Sequence, residues 1–114
     1  MTESRLGEFE EVILLLVGIL GEQAYAFNIA QEFETQTKKS TAIGAVHSTL
    51  SRLADKGFLT SVMGGATSER GGRRKRIYNI TAEGEQVLAN ARELRLSLWN
   101  QYPKFSEGSL SFHF

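Results

Sequence analysis

STAIGAVHSTLSRLADKGFLTSVMGGATSERGGRRKRIYNI, residues 40–80, opens as a helix and closes as a two-stranded ribbon. Ile43, Val46, Leu50 and Leu53 recur at steps of three, four and three, which places them on one side of an α-helix. Ser40 or Thr41 suits its N-cap, and Gly57 after Lys56 suits its stop. Opposite the apolar stripe lie Gly44, Ala45, Ser48, Ser51, Arg52 and Asp55. That outer face is small and polar with one long cation, so it can approach another surface closely. Phe58 to Met63 reads as a strand and Arg74 to Ile80 as its return partner, with Gly64-Gly65 and Gly71-Gly72 suited to the turn between them. In the return strand Arg74, Arg76, Tyr78 and Ile80 share one side, and Lys75, Ile77 and Asn79 the other.

Working outward, the first helix spans about Gly7 to Leu20 and stops at Gly21. Beyond Glu11 it is apolar on every side, so protein should surround it, and a second subunit is expected to supply part of the cover. Val12 to Leu20 is too short for a bilayer, which needs about 20 residues. Glu8, Glu10 and Glu11 precede it where a signal peptide would carry positive charge, so a cytoplasmic protein is expected. The second helix spans about Tyr25 to Gln36, with Phe27, Ala30 and Phe33 on its inner stripe and Ile29 widening it. Thr35 to Thr41 is polar, contains Lys38-Lys39 and reads as a turn.

Downstream, Thr81 caps a long helix with Glu83 in its first turn, and Pro103 ends it after about Tyr102. Val87, Ala91, Leu94 and Leu98, flanked by Leu88 and Trp99, form a stripe wide enough for its own domain and a partner. Residues 103–114 contain three Phe and no recognisable pattern. The expected fold is mainly α with a small β-ribbon: a winged helix-turn-helix over residues 1–80, a dimerisation helix over 81–102, and a tail.

The 114 residues fit one domain, and a core of that size gains from oligomerisation. The absence of cysteine excludes disulfides and Cys-based metal sites and fits a reducing compartment. Net charge is zero, but it is divided unevenly. Residues 1–37 hold one cation and seven acids, net −6; residues 38–76 hold nine cations and two acids, net +7; residues 77–114 hold three cations and four acids, net −1. Such a positive segment steers polyanions to one side of the molecule. Enzyme chemistry has little to work with. His47 and His113 are the only histidines, Asp55 is the only aspartate, and no acid pair has a telling spacing. No catalytic residue, cofactor or metal is expected.

Three stretches together resemble the PadR family of bacterial transcriptional regulators. Gly44, Leu50, Leu53 and Asp55-Lys56-Gly57-Phe58-Leu59 match the family's recognition helix and the turn after it. Gly71-Gly72-Arg73-Arg74-Lys75 followed by Tyr78 match its wing, and Ile80-Thr81-x-x-Gly84 match the start of the next helix. Tyr25 stands at a usual aromatic position, while His47 replaces the usual Tyr and Ala26 a frequent Gly. The resemblance spans roughly residues 7 to 90. It implies a winged-helix homodimer whose fourth helix crosses to the other subunit, of the small subgroup with one helix after the wing.

That implied architecture sets the expected contacts. A recognition helix enters the major groove with its N-terminal residues nearest the bases. Thr41, Ala45, His47 and Ser48 are the candidates here. Lys38, Lys39, Arg52, Arg70, Arg73, Arg74 and Lys75 are candidates for the DNA backbone. His47 serves either helix packing or a groove contact. Leu14, Leu16, Val87, Ala91, Leu94 and Leu98 are expected at the dimer interface. Trp99 is either dimer core or the wall of a pocket for a planar hydrophobic effector. The expected function is a homodimeric repressor of a pseudo-palindromic site on duplex DNA. The rival is a winged helix that docks a protein partner instead.

Overall fold

The computed structural model describes residues 6–64 and 74–106. Helix α1 (Glu8–Leu20) follows an extended Gly7 and ends where Gly21 turns to a φ of 58°. A single 3-10 turn (Gly21–Gln23) leads to α2 (Ala26–Thr37), and a short link leads to α3 (Ile43–Asp55). Gly57, at a φ of 86°, reverses the chain into β1 (Leu59–Met63). This strand pairs antiparallel with β2 (Arg76–Ile80), from Leu59 opposite Ile80 to Met63 opposite Arg76. The Tyr78 amide donates to the Ala24 carbonyl at 2.9 Å, so the segment before α2 runs along the free edge of β2. Helix α4 (Ala82–Gln101) follows directly, and α5 (Pro103–Ser106) forms one short turn in the segment for which the sequence offered no pattern. No helix among the described residues is long and apolar enough to cross a membrane.

The core lies where the first three helices meet the base of the ribbon. Ile13, Leu14, Leu16 and Val17 of α1, Ile29 of α2, and Val46, Leu50 and Leu53 of α3 are buried, and Phe58, Leu59 and Tyr78 close the ribbon side. Leu14 and Leu16, expected at a subunit interface, are therefore enclosed by their own chain. The apolar part of α1 beyond Glu11 is covered mostly from within, and Leu15 and Ile19 remain as its exposed large apolar residues.

Two stripes are shifted from their sequence reading. On α2 the inner positions are Ala26, Ile29, Ala30 and Phe33, a regular i, i+3, i+4, i+7 set. Phe33 meets Phe9 of α1 edge-on at 5.3 Å, while Phe27, one step round the helix, is 60% exposed. On α3 Thr49 is buried, and Ile43 is 46% exposed because the helix begins there, ahead of the core. The N-cap is Ala42 rather than Ser40 or Thr41, and its methyl group has nothing to offer the first amides.

The start of α4 is locked to the turn after α3. Thr81 Oγ1 accepts from the Gly84 amide at 3.0 Å and donates to the Gly57 carbonyl at 2.7 Å. The Thr81 amide donates to the Phe58 carbonyl at 3.1 Å. A Cβ on Gly84 would lie 2.4 Å from that same Phe58 oxygen, so only glycine lets the helix approach this closely. Farther along, Val87, Leu88 and Ala91 are half-buried, Arg95 pairs with Glu11 of α1, and residues 92–101 are exposed.

Candidate nucleic-acid interface

The outward side of α3 carries Gly44, Ala45, His47, Ser48 and Ser51, all exposed. The Ser48 hydroxyl bonds its own helix through the Ala45 carbonyl at 3.2 Å. His47 faces solvent, which decides against a packing role within the chain. Thr41 is half-buried just before the helix, and Lys38 and Lys39 are exposed in the preceding turn. Lys38 adopts the left-handed conformation (φ 64°) that ends α2, and its ammonium donates to the Thr35 carbonyl at 3.2 Å.

The other end of α3 is held by a carboxylate that the sequence reading missed. Glu10 of α1 is 7% exposed and receives Arg52 Nε at 3.2 Å and Lys56 Nζ at 3.0 Å on each oxygen. The Gly7 amide adds a bond at 2.9 Å. Burial pushes the Glu10 carboxyl up, but the Gly7 amide, Lys56 and Arg52 together outweigh it and hold the group below its ordinary value. Arg52 also donates to Thr49 Oγ1 at 3.1 Å. Arg52, expected at the DNA backbone, thus also fastens the recognition helix to α1 while its side chain stays half exposed. Two cations four apart on one helix face were the legible signal for an acidic partner.

At the base of the wing, Arg74 Nε reaches the Gly64 carbonyl at 3.4 Å, and Arg76 donates to Ser61 Oγ at 2.9 Å. The Lys75 ammonium sits 4.2 Å from the centre of the Tyr25 ring, a cation–π contact that ties the wing to the start of α2. Arg74 and Lys75 are both exposed. Arg70 and Arg73 lie outside the described residues. The structure therefore brings Lys38, Lys39, Ala45, His47, Ser48, Arg52, Arg74 and Lys75 to exposed positions on the turn, the helix and the wing.

The remaining predicted residues lie along α4. Val87, Ala91 and Leu94 border a shallow groove with Leu6 and Glu11. A second, open groove is lined by Arg95, Leu98, Trp99 and Tyr102, where the two rings meet edge-on at 6.2 Å. Leu94, Leu98 and Trp99 are each more than half exposed.

No curated protein sequence matches the chain. Solved structures do. A PadR family transcription regulator from a hypervirulent Clostridium difficile is 27% identical, with 80% of this chain and 96% of that one covered and a TM-score of 0.57. A PadR-like transcriptional regulator from Bacillus cereus is 16% identical, with coverages of 89% and 93% and a TM-score of 0.65, a likeness of fold. Bacillus subtilis PadR, solved with operator DNA, is 23% identical, with 73% of this chain and 45% of that one covered and a TM-score of 0.57. The sequence pattern of the transcriptional regulator PadR-like family matches residues 15–90, from within α1 through the ribbon to the first half of α4. The chain accordingly belongs to the PadR-like family of transcriptional regulators: a DNA-binding winged helix-turn-helix protein and not an enzyme.

Proposed function

We propose that the protein acts in the cytoplasm as a homodimeric repressor that occupies a pseudo-palindromic operator, with α3 in the major groove and the wing along the backbone. The observation that carries the dimer is the outer half of α4. Leu94, Leu96 and Leu98 are exposed there, and Leu96 borders a groove with Trp99 and the exposed Leu15 of α1. An apolar surface of this kind on a folded protein marks an association site. A two-fold dimer presents two α3 helices, which matches a palindromic site. Lys38, Lys39, Arg74 and Lys75 supply backbone contacts on each subunit, with Arg70 and Arg73, which precede Arg74 in the sequence, as further candidates.

A planar hydrophobic effector is the second part of the reading. Trp99 and Tyr102 offer two π faces in an open groove, and a second copy of α4 would close it.

The test is duplex binding as a function of salt, with particle mass followed by light scattering. A dimer that neutralises about 8 phosphates loses affinity with a log–log slope near −7. A monomeric particle, or a slope near zero, removes the reading. Planar cationic dyes test the effector site: saturable quenching of Trp99 is expected in the wild type, and loss of dye binding, followed by the dye's own emission, in Trp99→Ala.

A further inference from the structure

The first turn of α3 has an unusual chemistry for a surface that meets base edges. Ala42, Ile43, Gly44 and Ala45 are consecutive and exposed. None of these side chains can donate or accept a hydrogen bond, so none can form the paired bonds that identify guanine or adenine. Among them Ile43 is the one large group, 46% exposed where the helical stripe would have buried it. His47, one turn on, is itself exposed. An exposed β-branched residue at the first position of a recognition helix contributes neither to the core nor to helix propensity.

The major groove offers one apolar marker on its unmodified base edges, the C5-methyl group of thymine. We propose that Ile43 reads thymine, packing its side chain against that methyl group, and is the specificity-determining residue of the first turn. The inference rests on the DNA-binding reading above and adds to it the base that is read and the residue that reads it. Ile43 lies at the edge of the buried stripe, in the first turn of the helix, the end that a recognition helix turns towards the bases. Thr41, His47 and Ser48 then supply the polar contacts around it.

The experiment uses the full chain. Duplexes bound by the wild-type protein are selected from a random pool, and the tightest is resynthesised with deoxyuridine for thymidine, one position at a time. Base pairing is unchanged and only the methyl group is lost. Each contacted methyl should be worth roughly fourfold in affinity, and one in each half-site about 16-fold together. Ile43→Ala should bind the thymine and uracil forms equally. Ile43→Val should keep part of the discrimination. Because Ala is the better helix former and the site is exposed, the Ala variant should melt within a few degrees of the wild type. Equal binding of both forms by the wild type overturns the proposal, as does full methyl sensitivity in Ile43→Ala. Failure of the wild type to bind any duplex would instead overturn the DNA reading and the proposal with it.

Discussion

The two ends of α3 are built in opposite ways. At the C-terminal end Leu53 is buried, Arg52 and Lys56 grip Glu10, and the Gly57–Phe58 turn is held by Thr81 against the start of α4. At the N-terminal end Ala42 provides no side-chain cap, Ile43 to Ala45 are exposed, and the preceding turn carries Lys38 and Lys39. One end is fixed to its neighbours; the other is presented to whatever binds. A recognition helix that must meet DNA at its N-terminus cannot bury that end, so its position has to be set from behind. The same turn also seats the start of α4 through Thr81, so the docking angle of α3 and the direction of the last long helix share one anchor.

The sharpest way to break this arrangement is Gly84→Ala. The added Cβ would meet the Phe58 carbonyl at 2.4 Å and the Ile80 side chain at 2.8 Å, so the turn or the helix must shift. A loss of about 3 kcal/mol or more is expected in urea unfolding, with DNA binding lost in parallel. Such a variant with unchanged stability would mean the anchor is soft.

Glu10→Gln acts on the same end with a smaller effect. Gln keeps the shape but not the charge, and Arg52 and Lys56 are exposed enough to find water. About 1–2 kcal/mol of stability should go. The effect has a pH signature. The folded carboxyl titrates below its ordinary value, so its contribution is complete above the ordinary glutamate range, about pH 4.3, and is lost as pH falls through the lower folded value. Wild type should lose stability over that acid range, and Glu10→Gln should lose less. Parallel acid curves for the two proteins would remove the Glu10 anchor.

The free end predicts opposite behaviour. Lys38→Gly relieves a left-handed lysine and should raise stability by about 0.5–1 kcal/mol, a few degrees in the melting temperature. It also deletes a cation, so the salt slope of DNA binding should flatten by about 1 for each phosphate that is no longer neutralised. Smallest in stability is Ser48→Ala, expected within about 0.5 kcal/mol of wild type because its hydroxyl is exposed and bonded to its own helix. Its effect should appear instead as changed preference among selected duplexes. A large melting shift in Ser48→Ala would erase the contrast between the two ends.

Much of this was legible from local rules. The helix stops at Gly21 and Gly57, the ribbon across the Gly-rich segment and the Thr81 cap all follow from preferences that act within a few residues. The family's three stretches fall on the same elements. The exposed polar face of α3 could be read from periodicity alone, because Ser48 and Ser51 lie away from Val46, Leu50 and Leu53.

What periodicity could not settle was what lies across from each face. Phe27 and Ile43 sit at stripe edges, and whether an edge is covered depends on the neighbouring helix. Leu14 and Leu16 look like interface residues until α2 and α3 close over them. Arg52 reads as a lone cation in the sequence, and only the fold places Glu10, 42 residues earlier, beside it. The sequence by itself determined the order of the four long helices and two strands, the glycine stops, the cap of α4 and the basic segment, since these depend on backbone geometry and composition close along the chain. Only the tertiary structure decided which apolar residues are core and which cations also serve as anchors, because burial and ion pairing depend on distances between residues far apart in the chain.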